Sequence, residues 1–201
     1  MIESKEDYIF YLEADRVVLG IDRQWPRFLG DEIWKFQRSL RKVEFLENCE
    51  KNFMNRVSCL YARYCLEKMS IKLGFTIPRN VFGSGLSIEH RGSIVIHYGV
   101  KICENCRIHQ GVTIGSDLIH GKFPKLGNNI IIGPGAVIVG AIEIADGIVI
   151  GANSFVNKSF TEPNITVAGC PARKISDKGS INYWIRPTEI VRRRIRSLNL
   201  Q

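Results

Sequence analysis

Residues 94–115 read IVIHYGVKICENCRIHQGVTIG, and a branched aliphatic recurs at every sixth place: Ile96, Ile102, Ile108 and Ile114. Continued forward, the same column passes through His120, Leu126, Ile132, Ile138, Ile144, Ile150 and Val156. Two residues earlier in each hexad stand Ile94, Val100, Cys106, Val112, Ile130, Ala136, Ile142, Ile148 and Ser154, all apolar or small. Gly or Ala often follows the aliphatic, as at Gly115, Gly127, Gly133, Ala145 and Gly151. Helices repeat near 3.6 residues and simple strands at 2, so neither explains a period of six. A coil of three short flat faces does, with the aliphatics pointing inward and small residues at tight corners. Three hexads make a coil of about 18 residues, stacked on the next at roughly 4.8 Å.

The column breaks once, at His120. Burying that imidazole without partners costs several kcal/mol. Residues 116–125 (SDLIHGKFPK) are therefore expected to form a protruding loop, with the repeat resuming at Leu126. Counting back six from Ile96 reaches His90, so the bare repeat would bury it. Against that, Gly83, Gly85 and Gly92 mark the first coil as irregular. His97 and His109 follow inward aliphatics and are expected outside or at a corner. Stacking by one coil places His109 above Arg91, beside His90.

The flanks are different. Apolar residues at 33, 36, 40, 43 and 46, then Cys49 and Phe53, have helical spacing, and Val57, Leu60, Tyr61, Tyr64 and Cys65 continue it. Two helices, or one broken near Asn52, are expected over 31–69, with a shorter one over 4–18. Pro163 and Pro171 end the hexads, Ile165–Ala168 is the last strand-like piece, and TEIVRRRIRSLN predicts a short basic helix. The expected organisation is mainly β: a helical region at 1–74, a parallel β-helix at 75–175 and a basic tail at 176–201.

The 201 residues carry 45% apolar and 24% charged side chains and a net charge of +8. The polar start MIESKEDY is no signal peptide and no apolar run approaches about 20 residues, so a cytoplasmic location is expected. Six scattered cysteines then read as thiols. Cys103-Glu-Asn-Cys106 has the C-x-x-C form, but the hexad phase turns its cysteines opposite ways, and no metal is expected. The basic tail admits peripheral contact with an acidic membrane, whereas nucleic acid is excluded by the lack of a reading motif.

GLSIEHRGSIVIH (85–97), IHQGVTIG (108–115) and VAGCPARKI (167–175), in that order around the hexads, resemble serine acetyltransferase and its relatives over about 75–190. GDEIWKFQRSLRKVEFLEN (30–48) resembles members of this group encoded with polysaccharide assembly enzymes. The resemblance implies a left-handed coil, where crossover rules favour right. It also implies a homotrimer with sites between neighbouring prisms, and acetyl-CoA as co-substrate.

By the same resemblance, Glu89 and His90 match an acidic residue and the histidine that deprotonates the acceptor hydroxyl. Such a hydroxyl needs a positioned base near neutral pH. His109, Arg91 and Phe123 become candidate acceptor contacts. The pantetheine arm is expected along Gly133, Gly151, Ala152 and Ala168, and the CoA phosphates at Lys158, Arg173 and Lys174. Serine acetyltransferases carry a second active-site histidine just before a Pro-Lys, where this chain has Phe123. That departure favours a hydroxyl on a sugar or glycan of surface polysaccharide. L-serine is the alternative acceptor, and a non-catalytic scaffold is a third reading.

Overall fold

The computed structural model describes residues 1–49, 53–117, 121–182 and 186–198. Three helices come first: α1 (Lys5–Val18), α2 (Glu32–Cys49) and α3 (Phe53–Leu73). The strands follow as β1 (Phe75–Thr76), β2 (Ser87–Ile88), β3 (Ile94–Ile96), β4 (Lys101–Ile102), β5 (Cys106–Ile108), β6 (Thr113–Gly115) and β7 (Lys125–Leu126). They continue as β8 (Ile130–Ile132), β9 (Val137–Val139), β10 (Glu143–Ile144), β11 (Val149–Ile150), β12 (Phe155–Val156), β13 (Thr166–Gly169) and β14 (Ala172–Ser176). A 3-10 turn at Ser180–Asn182 leads towards α4 (Pro187–Leu198). The expected break near Asn52 and His120 both lie outside the described residues.

The strands form three sheets. Face one is β2-β5-β8-β11-β13-β14, face two is β1-β3-β6-β9-β12, and face three is β4-β7-β10. From β2 to β12 the chain visits the faces in rotation, and every pairing is parallel except β13 with β14. This is the three-sided parallel coil that the period of six requires. From Ile96 to Val156 the described aliphatics of the column are at most 4% exposed, and the column two residues earlier is buried with them. Each such side chain contributes about 1.5–3 kcal/mol on leaving water, so the stack is the main favourable term.

The corners differ in detail from the expectation. Left-handed backbone lies three residues after the aliphatic, at Asn105, Gly111, Asn129, Gly135, Gly147 and Asn153. Asparagine and glycine tolerate that conformation. Of the glycines directly after the aliphatic, Gly127, Gly133 and Gly151 serve close approach instead. A Cβ at Gly133 would stand 2.7 Å from Ala152 N of the next coil.

Register reveals where the coil is irregular. Lys101 pairs with Lys125 and Thr113 with Val137, one hexad beyond a full coil. The chain between β6 and β7 is thus one hexad longer than a uniform coil needs, which is why the sequence period survives it. Leu126 resumes the buried column, as expected.

The helices pack on the first coil. Phe36, Leu40, Val43, Leu66 and Leu73 share one core with Phe75, Phe82, Ile88 and Ile94. A buried ionic cluster ties the two parts together. Arg41 donates to Asp15 (2.8 Å), to Glu44 (3.0 Å) and to the carbonyls of Phe82 and Gly83. Asp15 also accepts from the Gly85 and Leu86 amides.

At the other end the structure adds β14, whose exposed Arg173, Lys174 and Ile175 carry no strand signature. The basic helix is not wholly solvated. In α4, Thr188 and Val191 are buried, Asn105 Nδ2 donates to Thr188 Oγ1, and Arg192 and Arg194 pair with Glu104 and Glu13. Arg193 and Arg196 remain exposed.

Candidate active site

Glu89, His90 and Arg91 occupy the corner between faces one and two. Ile88 pairs with Ile108, twenty positions on, whereas Val95 pairs with Thr113, eighteen positions on. Two extra residues therefore sit between β2 and β3. They shift the phase so that Ile88 takes the inward slot and His90 is exposed. The bare repeat reading of His90 is overturned by this insertion.

The same slip corrects the stacking of His109. Glu89 N donates to Ile108 O, so His109 lies over Glu89 rather than over Arg91. The rings of His90 and His109 are 5.9 Å apart between centroids. Glu89 accepts from Ser87 Oγ on one oxygen and from Arg107 on the other, each at 2.6 Å. Partial burial pushes its carboxyl pKa up, but Arg107 and Ser87 outweigh that and hold it below the ordinary value. Glu89 is thus an anion beside the two imidazoles, bonded to Arg107 and Ser87. Burial lowers the His109 pKa, opposed by Glu89 and aided by Arg107 and His90, so its neutral form is favoured.

Arg107 and Ser87 escaped the sequence reading. Their signal is a twenty-residue spacing to the preceding coil, hidden while the repeat is taken as uniform. Arg107 and His109 also line a groove of about 340 Å³ on face one, with Ile131, Val149 and Thr166.

The other candidates are spread more widely. Arg91 is exposed, and its guanidinium lies 3.8 Å from Glu32 at the start of α2. Phe123 belongs to the corner between faces two and three, where its ring stacks on His97 at 4.4 Å. Gly99 leaves room for that ring, since a Cβ there would collide with it. Within one chain, His90 and Phe123 therefore occupy different corners.

Gly133, Gly151 and Ala152 stack at the His90 corner in successive coils, and Ala168 lies in β13 beside them. Arg173 is exposed opposite Ala168 in the β13–β14 hairpin. Lys174 already pairs with Glu162 (2.5 Å) and Asp177 (2.6 Å). Lys158 follows β12, away from the glycine corner, with Nζ over the Phe160 ring. Cys106 is buried and Cys103 exposed, as the hexad phase requires. Among the described residues no group of three or more His, Cys, Asp or Glu is placed to hold a metal ion. No described helix is long and apolar enough to cross a membrane.

No protein-family model matches the chain. It is similar to the serine acetyltransferase of Buchnera aphidicola subsp. Acyrthosiphon pisum, with 36% identity over 110 residues, covering 53% of this chain and 40% of that one. It is likewise similar to that of Mycobacterium tuberculosis, with 36% identity over 119 residues, covering 58% and 52%. The chain thus spans about half the length of the curated relatives it matches. Among solved structures it resembles the serine acetyltransferase of Brucella abortus strain S19, with a TM-score of 0.68, 27% identity, and coverage of 88% and 72%. A structure of that protein in complex with coenzyme A gives a TM-score of 0.66, again at 27% identity, covering 87% and 70%.

Proposed function

We propose that the chain is an acetyl-CoA-dependent O-acetyltransferase of the serine acetyltransferase type, with His90 as general base. The observation that carries this reading is the exposed His90, paired with His109 over an ionised Glu89. The stacked small residues Gly133 and Gly151 at the same corner give a thioester-bearing arm room to lie against backbone. Acetyl-CoA supplies the electrophilic carbonyl and a thiolate leaving group.

His90 takes the proton from the acceptor hydroxyl as its oxygen attacks that carbonyl, a role worth about 10²–10⁴-fold. The imidazolium then returns the proton to the departing sulfur. Glu89 stabilises the imidazolium by charge, since Ser87 and Arg107 engage its oxygens. Neutral His109 offers one donor and one acceptor to the acceptor molecule.

We place the complete site between subunits of a homotrimer of left-handed prisms, in the cytoplasm where CoA is the donor pool. The 116–125 loop of one subunit then approaches His90 of the next. The separate corners of His90 and Phe123 within one chain support that arrangement.

The relatives favour L-serine as acceptor. A second reading, a saccharide hydroxyl, rests on Phe123. Its ring stacks on His97 where the resemblance places a second active-site histidine, so a polar contact to serine is replaced by an apolar one. Mass analysis of products from acetyl-CoA with L-serine, free sugars, nucleotide sugars and short glycans separates the two. O-acetylserine establishes the first reading, an acetylated saccharide the second, and no product with any acceptor removes both.

A further inference from the structure

Phe28 and Leu29, in the connection between α1 and α2, are the most exposed large apolar side chains among the described residues, at 95% and 82%. Trp25, three positions before Phe28, is 70% exposed. This connection is not slack. Arg16 donates to the carbonyls of Ile21 and Asp22, Arg38 to that of Gln24 (3.3 Å), and Lys35 Nζ to that of Phe28 (2.7 Å). Asp31 accepts from the Arg27 amide (2.8 Å) and from the Arg23 guanidinium. Four cationic or acidic side chains thus hold the backbone path while three large apolar groups stand in water. Large apolar groups held exposed together on one short loop mark an interaction site.

The surroundings of the tip are cationic. Arg23, Arg27, Lys35 and Arg38 belong to the loop or the first turns of α2, and Arg38 lies 4.5 Å over the Trp25 ring. Lys72 and Arg91 approach from the other side, 3.9 Å and 3.8 Å from Glu32. The acids among them are Asp22, Asp31 and Glu32.

We propose that the Ile21–Asp31 loop docks the protein on an anionic lipid surface, with Trp25, Phe28 and Leu29 entering the acyl boundary and the surrounding cations meeting headgroup phosphates. Aromatic and aliphatic groups bordered by Arg and Lys have this use at membrane interfaces. A second copy of the chain fits less well. A two-fold contact would set the same cations against one another. A stable protein interface also buries roughly 800 Å² on each side, more than the three apolar side chains of one loop offer. Glu32 reaches Arg91, the residue after His90, so docking would bring the Glu89–Arg91 corner close to the lipid. The proposal does not depend on the catalytic reading.

The test is co-sedimentation of the full chain with phosphatidylcholine vesicles, with and without phosphatidylglycerol. Wild type should bind only the vesicles containing phosphatidylglycerol. Phe28→Ser with Leu29→Ser should weaken binding by about ten-fold or more with an unchanged thermal melt. Arg193→Gln with Arg196→Gln should bind like wild type. The proposal is overturned if wild type ignores the anionic vesicles, if the loop variant binds equally well, or if only the α4 variant loses binding. It also fails if the loop variant instead lowers the assembly's mass in sedimentation, which would make the loop a contact between copies.

Discussion

Replacing Arg41 by Met should unlock the helices from the first coil. The Arg41 side chain is fully buried and those of Asp15 and Glu44 are at most 2% exposed. Met fills similar volume, so the loss is electrostatic. It leaves two buried carboxylates unpaired and two carbonyls, of Phe82 and Gly83, without their donor. Removing one partner of a buried ionic cluster costs about 3–5 kcal/mol. In a chain of this size 1 kcal/mol is about 2–4 °C, so Tm should fall by about 6–20 °C by calorimetry. A triple change to Arg41→Met, Asp15→Leu and Glu44→Leu should not restore wild-type stability. Asp15 also accepts from the Gly85 and Leu86 amides, and orphaning those costs about 1–3 kcal/mol each. A single Arg41→Met variant that melts within 2 °C of wild type, taken as about the effect of one weak contact, would refute the reasoning.

Other outcomes are expected. Gly133→Ala sets a Cβ 2.7 Å from Ala152 N, so overpacking should cost about 1–3 kcal/mol, while Gly115→Ala, with open space, should melt like wild type. Ile138→Ala opens a cavity in a fully buried layer and should cost about 2–5 kcal/mol by urea denaturation. The lowered His109 pKa makes the unfolded chain bind a proton more readily below about pH 6.5. Stability should fall as pH drops from there through the lowered value, and His109→Gln should flatten that part of a Tm–pH profile.

The three-sided coil was legible because its aliphatic column has few gaps, and because the extra chain between β6 and β7 amounts to one whole hexad. The corner chemistry was only half legible: Gly127, Gly133 and Gly151 sit after the aliphatic for close approach, whereas the left-handed turn lies two residues further on. The exposure of His90 was half legible: Gly83, Gly85 and Gly92 marked the first coil as irregular but not by how many residues. Its two-residue insertion lies in the first coil, with no earlier period to measure it against. Arg107 stayed hidden for the same reason, as its partner Glu89 is displaced by that slip. The docking of α4 depends on Thr188 meeting Asn105, 83 residues away, which no local pattern records. β14 was missed because Pro171 breaks the hexads and, past the buried Ala172, Arg173, Lys174 and Ile175 all lie exposed.

The most direct measurement is acceptor-dependent thiol release from acetyl-CoA by wild type and His90→Ala, with CoA binding followed in parallel. Because His90 is exposed, its removal should leave the fold and CoA binding intact and slow turnover by about 10²–10⁴-fold. A variant that keeps the full wild-type rate, or a wild type that no acceptor stimulates, would contradict the assignment of His90 as the base.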